Sequence, residues 1–261
     1  MTGHHKLAVT LVAVLTLGAL VAPPLAGGAG AGGASPDAIA LPGEQQIVVR
    51  VGNPIVRGSG NGLAFGARST AMLRGRVRIA GTAPRTGGGV RIEREDAQSG
   101  WMPIARAEVA DDGSFRTVWR PDRTGPVRLR ALVDAVGTAA GEPTVEPALD
   151  ATAPHLDVTV YRPGVASWYG PTRGEWSTAC GVPLLPTTLG VAHRTLPCGT
   201  SVAFYYRGRT VVVPVIDRGP FVRGRTWDLT RAAHTALGAT EGLVTVGALP
   251  LLPAAAPARS R

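Results

Sequence analysis

Val215–Thr230 reads VIDRGPFVRGRTWDLT, with two aspartates, Asp217 and Asp228, eleven residues apart and arginine and glycine filling the interval. A solvated charged loop is the plain reading of such a run. Its flanks argue for more. Upstream, TSVAFYYRGRTVVVPVID sets β-branched and aromatic residues on both sides of an Arg-Gly step, the pattern of two strands joined by a turn. Downstream, Leu229, Ala232, Ala233, Ala236 and Leu237 follow the i, i+3, i+4, i+7, i+8 spacing of an amphipathic helix. Asp228 takes the N-cap place and Gly238 the stop. The small alanines let this helix lie close to a barrel wall, and His234 falls on its polar side.

ASWYG and GLVTVGAL add further strand-like pieces, so a β-rich domain spans residues 162–250, with a tail at 251–261. Before it, the connection EPTVEPALDATAP is rich in proline, small and acidic residues. From Ile47 to Tyr161 come seven short runs with apolar residues at alternate places: QQIVVRV, MLRGRVRIA, GVRIERE, MPIARAEVA, SFRTVWR, PVRLRALV and LDVTVYR. This predicts an antiparallel β-sandwich over residues 45–161, immunoglobulin-like by pattern alone. Asp112-Gly113 is a hairpin signal, because both residue types tolerate positive φ. Trp101 and Trp119 read as core or cross-strand residues rather than sugar platforms. The fold class is therefore all-β with one short helix.

The chain has 261 residues, 44% of them apolar, and a net charge of +9 that is almost all arginine, since its only lysine is Lys6. Such a charge attracts polyanions: nucleic acid, acidic lipid or an anionic wall. The arginines are dispersed and no nucleic-acid-binding motif is present, which argues against nucleic acid. Residues 1–34 hold LAVTLVAVLTLGALVA after Lys6 and then a small-residue tract. They read as a secretory leader, with an uncleaved anchor as the alternative, and residues 35–44 as a linker. No cysteine follows the apolar run, so no lipid anchor is expected, and His4 and His5 belong to the leader with no metal role. The two cysteines, Cys180 and Cys198, read outside the cytoplasm as a disulfide; a thiol nucleophile with His193 as base is the alternative.

VASWYG (165–170), TACG (178–181), GVAHRTLPCGT (190–200), VVVPVIDRGPFVRGR (211–225) and WDLTRAAHTALG (227–238) occur in that order. Together they resemble the double-psi β-barrel domain of the rare lipoprotein A (RlpA) family of septal or cell-wall lytic transglycosylases. The resemblance implies that Asp228 is the main acid/base, Asp217 its electrostatic partner and His193 an assistant in the groove. Trp168 and Tyr169 would stack on sugar. Thr178, Arg218 and Arg223, with Arg225, would hold substrate or attract anionic wall polymer. The partners implied are peptidoglycan glycan strands, in a secreted or wall-associated location, with no metal and no organic cofactor.

Two nearby carboxyl groups in a partly desolvated groove do not both ionise cheaply, so one tends to keep a proton. That suits one carboxyl group protonating a leaving glycosidic oxygen and then taking the proton of the sugar's own 6-hydroxyl. The plainer readings are a helix cap for Asp228, a turn residue beside Gly219-Pro220 for Asp217 and a core histidine for His193. The chain departs from the family pattern at Val182, where a glutamate is expected, and at Leu185, where an acidic residue is usual; Glu175 is a candidate replacement. These departures leave open a non-catalytic, expansin-like glycan-binding module, or an adhesion protein using the sandwich.

Overall fold

In the alternating runs of the first half, alternation decides which side of each strand is buried. The computed structural model describes residues 50–85, 88–134, 153–170 and 176–251. The expected leader and linker, Glu175, nearly all of the proline-rich connection and the tail beyond Leu251 lie outside them. β1 (Arg50–Val51), β2 (Ile55–Gly60), β3 (Leu63–Arg68), β4 (Thr70–Met72), β5 (Val77–Thr82), β6 (Gly89–Asp96), β7 (Gly100–Glu108), β8 (Ser114–Trp119) and β9 (Gly125–Val133) lead to the long β10 (His155–Tyr169). One antiparallel sheet runs β2-β3-β5-β8, and a second set runs β10-β9-β6-β7. Both sheets turn alternate residues into one core, where Phe65, Ile79, Phe115 and Trp119 pack with Val90, Ile92, Leu129 and Val158. Trp119 is thus a core residue as expected, while Trp101 lies across from Glu95 with the Arg130 guanidinium 4.3 Å above its ring.

Two expectations about strand pairing need correction. Asp112-Gly113 does form a turn, with Gly113 at φ +81°, but β7 pairs with β6 and β8 with β5. Backbone bonds between Ala110 and Ser114 close the turn, but its arms then part, so it carries the chain from one sheet to the other. A tight two-residue hairpin joins β2 and β3, whose corner residues Asn61 and Gly62 both have positive φ, as that turn requires. The pairing is also not wholly antiparallel, since β4 runs parallel to β10.

β11 (Trp176–Ser177) and β12 (Pro183–Leu184) form a small ribbon; β13 (Val191–Ala192), β14 (Ser201–Tyr206), β15 (Arg209–Asp217), β16 (Trp227–Thr230), α1 (Arg231–Ala236) and β17 (Val244–Leu251) follow. Six strands close a ring in the order β10-β16-β13-β15-β14-β17, with β17 returning to β10. Closure leaves no free edge within the ring. Val191, Phe204, Val213, Val215, Leu229 and Val246 fill it.

Asp228 lies inside β16 and does not cap the helix. Thr230 takes that place, its Oγ1 accepting from Ala233 N at 3.2 Å. Both residue types favour the cap position; Thr230 holds it because the strand pairing of β16 continues through Asp228. Gly238, at φ +74°, ends the helix as expected. His234 is buried, not on a polar surface, with Nε2 2.9 Å from the Glu241 carbonyl. A helix of six residues has no long solvent face, and the segment after it folds back over His234.

β10 passes without a break through the expected boundary after Tyr161. Its first part pairs with β9 (His155↔Arg130 to Val160↔Gly125) and its second with β17 and β16 (Arg162↔Ala248 to Tyr169↔Thr230). The halves are laced elsewhere too, by β1 on β15 and by Asn53 Nδ2 donating to the Tyr205 hydroxyl at 3.1 Å. Gly247 permits the close approach: a Cβ there would stand 2.7 Å from Tyr161 Cβ.

Candidate active site

Neighbouring strands place Asp217 beside Ala192, Ala192 beside Asp228, and Asp228 beside Ser167. Residues in register on adjacent strands share a face. The preceding row, Val215, Val191 and Leu229, points into the barrel core, so this row points out of it. The register slips by one residue between Val191 and Ala192. That bulge makes Ile216 the extra residue and sets Asp217 in line with Ala192, a common way for a sheet to re-aim a functional side chain. The two carboxylate-bearing backbones are thus two strand spacings apart, about 10 Å.

Tyr169, two residues past Ser167 on the same face, joins the row from the side. Among the described residues, the buried side-chain polar atoms with no hydrogen-bond partner in the protein are Ser167 Oγ, Tyr169 OH and Asp228 Oδ1. Leaving such an atom unpaired costs roughly 1–3 kcal/mol. Three in one patch mark a place built to bond something other than itself. Burial, chiefly, pushes the Asp228 carboxyl above the usual aspartate range; the Asp217 charge adds to this, and Ser167 and Arg225 oppose it. Burial and then the Asp217 charge push the Tyr169 hydroxyl far up, so it keeps its proton. It lies close enough to the Asp217 carboxylate for that group to add to the rise.

Asp217 is held differently, because its Oδ1 accepts from the backbone amides of Ala179 at 2.9 Å and Arg218 at 2.8 Å. Ala179 belongs to the TACG loop, which Thr178 closes on itself: its N–H donates to Val182 O and its Oγ1 accepts from Val182 N at 3.1 Å. Thr178 is buried and shapes the wall, its hydroxyl oxygen accepting one of these bonds. Val182, at the expected glutamate position, is the residue that receives this clasp, and Leu185 is exposed. Cys180 and Cys198 form a disulfide with Cα atoms 5.8 Å apart, so neither is a thiol nucleophile. The bond ties the TACG loop to the segment after His193.

His193 does not turn its ring to Asp217. Its backbone amide donates to the Asp217 carbonyl at 3.1 Å, while Nδ1 accepts from Leu196 N at 3.0 Å and the ring lies 4.5 Å from that of Trp227. With Nδ1 an acceptor, the neutral ring carries its proton on Nε2. Burial, then Arg194 and Arg218, hold the imidazole below its ordinary value, favouring that neutral form. Arg218 is likewise occupied: Nη1 donates to the carbonyls of Leu196 and His193, and Nη2 approaches the Cys198 sulfur. Arg194 fastens the other side of the turn, donating to the carbonyls of Pro220, Val222 and Arg225. Arg223 is exposed and Arg225 half-buried. Trp168 is 37% exposed, with Arg231 stacked 4.5 Å from its ring centre. Phe221, 81% exposed on the turn between the aspartates, is a candidate contact that the sequence reading missed; an apolar pair, Phe221-Val222, inside a Gly/Arg turn was its only signal.

Residues 162–248 match the protein family described as lytic transglycolase. This part of the chain is similar to RlpA-like double-psi β-barrels. The RlpA-like domain is 47% identical over 77 residues to the probable endolytic peptidoglycan transglycosylase RlpA of Synechocystis sp., covering 29% of this chain and 24% of that protein. It is 46% identical over 80 residues to the corresponding probable enzyme of Aquifex aeolicus, covering 30% and 35%. The endolytic peptidoglycan transglycosylase RlpA of Pseudomonas aeruginosa is 40% identical over 153 residues, covering 54% and 43%. The chain spans less than half the length of each of these relatives. Among solved structures, the Streptomyces papain inhibitor is similar, at 30% identity over 33% of this chain and 91% of its own, with a TM-score of 0.26.

Proposed function

We infer that the protein acts on peptidoglycan at or outside the cell surface, and that the RlpA-like domain cleaves bare glycan strands without water, leaving anhydromuramyl ends. The observation that carries this reading is the row Asp217, Ala192, Asp228, Ser167, with its unpaired buried oxygens and its raised Asp228. A protonated Asp228 gives its proton to the oxygen of the breaking C1–O bond. As that bond breaks, the 6-hydroxyl oxygen of the same muramyl sugar bonds to C1. Its proton passes to the Asp228 carboxylate, which restores the acid. Asp217 supplies a fixed negative charge opposite the positive charge that develops on the sugar ring. Ser167 and Tyr169 hydrogen-bond sugar hydroxyls, and Trp168 and Phe221 offer apolar faces to the rings. His193 positions the loop and presents Nε2–H. The earlier half serves as an immunoglobulin-like sandwich that carries the barrel, and the N-terminal residues as a leader for export.

A second reading, glycan binding without turnover, is favoured by Val182 in the glutamate place and by the engagement of Arg218 within the fold. Digestion of peptide-stripped glycan strands separates the two. Mass spectrometry should detect anhydro ends with the wild type and at least about a hundredfold less with Asp228→Asn, the scale of losing a general acid. Equal product from both proteins would remove Asp228 as the acid; none from either leaves the binding reading.

A further inference from the structure

A cleft of about 760 Å³ opens far from the aspartates, on the outer face of the β2-β3-β5-β8 sheet, with Asn53 and Tyr205 at its barrel end. Each of these four strands contributes one outward arginine, Arg57, Arg68, Arg78 and Arg116, and none contains an aspartate or glutamate. Arg57, Gly66, Ala80 and Arg116 form one row across the sheet. Arg68 and Arg78 stand two residues further along the same face, and Arg76 joins them at the cleft wall. Gly66 keeps the floor open, since a Cβ there would meet Ile55 and Arg57 side-chain atoms at 3.0 and 3.3 Å.

Most arginines of the opposite sheet, and Arg123 in the turn before β9, are treated differently. Arg91, Arg94, Arg123, Arg128 and Arg130 all pair with Glu93, Glu95, Asp96, Asp122, Asp134 or Asp157. Among the described residues, no carboxylate pairs with Arg57, Arg68, Arg76 or Arg78. Arg68 is anchored by donating to the Asn53 carbonyl at 2.6 Å, which spends one of its five donors.

We propose that this arginine-lined face docks a linear phosphodiester polymer of the cell envelope. Guanidinium forks match phosphate oxygens. Arg68 and Arg78 stand level on adjacent strands, about 4.8 Å apart, and Arg57 lies one strand over and two residues along from Arg68, so several guanidinium groups lie within reach of neighbouring charges of one chain. The outward positions of the four strands carry no aromatic ring on which bases would stack, which disfavours single-stranded nucleic acid. The envelope as the polymer's location rests on the peptidoglycan reading above; the chemistry of the face does not.

The test uses the full chain and fluorescent poly(glycerol phosphate) in an anisotropy titration at low and high salt. Arg57→Gln/Arg68→Gln/Arg76→Gln/Arg78→Gln should bind at least about tenfold more weakly than wild type, with a shallower salt dependence. Ala80→Glu, which removes no arginine, should weaken binding in the same direction, and Arg123→Gln/Arg128→Gln on the paired sheet should not. Wild-type sacculi should retain more protein before hydrofluoric-acid removal of their phosphate polymers than after. Unchanged affinity in the quadruple variant, equal retention by stripped sacculi, or tighter binding of polygalacturonate or a single-stranded oligonucleotide would each overturn the proposal. Turnover of phosphate-free glycan strands by the same variants reads the barrel's chemistry separately.

Discussion

Glu93 and Asp228 are both carboxylates taken largely out of water, and their surroundings differ in kind. Glu93, in the N-terminal half, is 6% exposed, and its oxygens lie 2.7 Å from Arg91 Nε and 2.7 Å from Arg130 Nη2. Asp228, in the barrel, keeps one buried oxygen without a partner and sits beside a hydroxyl and a phenol in the same condition. The first arrangement is complete in itself. The second leaves hydrogen-bonding capacity unused within the fold. Buried polarity in one half holds a sheet together; in the other, on the proposed function, it serves a ligand.

Substitution should separate the two roles. Glu93→Gln leaves two arginines facing a neutral partner and should destabilise the protein by about 3 kcal/mol, seen in urea unfolding. Turnover per folded molecule should not change. Asp228→Asn should do the reverse, removing product while leaving the fold at least as stable. Loss of activity in Glu93→Gln at full folding would break the distinction.

Opening the disulfide tests whether the loop over Asp217 is independently held. Cys180→Ser/Cys198→Ser should lower stability by about 3 kcal/mol, and it should loosen the Ala179 amide contact enough to reduce turnover as well. Tyr169→Phe removes an unpaired buried hydroxyl. It should stabilise the free protein by up to about 1 kcal/mol in thermal melts and weaken glycan binding.

The smallest effect concerns pH. Because Asp228 is raised above the ordinary 3.8, its ionisation opposes folding: its contribution is full below 3.8 and is lost as pH rises through the higher value. Asp228→Asn should therefore melt above wild type at neutral pH, with the gap closing as the solution is acidified below 3.8. A constant gap would mean that the carboxyl is not perturbed. In the enzymatic reading, Asp217→Asn removes a charge that helps raise Asp228, so the alkaline limb of the rate profile should move to lower pH.

Most strands were legible because alternation is local: GVRIERE and SFRTVWR show their buried faces directly. Pairing was less so. Asp112-Gly113 announces a turn, yet which partner each arm takes depends on the opposite sheet. Asn61-Gly62 passed unread because its arms, IVRGSG and LAFGAR, are interrupted by glycine. At the barrel, the two aspartates were visible from the interval between them, but Ser167 was not, since only the parallel pairing of β10 with β16 brings it to Asp228. The re-aiming of Asp217 depends on a one-residue slip between strands distant in sequence. Asp228 was misread as a cap because Asp and Thr compete for that role two residues apart, and only the extent of the strand decides between them.

β10 carries one more implication. It is stitched into the β9-β6-β7 sheet over His155–Val160 and into the barrel from Arg162 to Tyr169, so a continuous strand joins the half that bears the arginine face to the row of aspartates. On the proposed docking and cleavage, a copy moored by one would present the other at a set reach and bearing, like the jaw of a gauge, and the glycan strands cut would be those lying at that distance from the mooring.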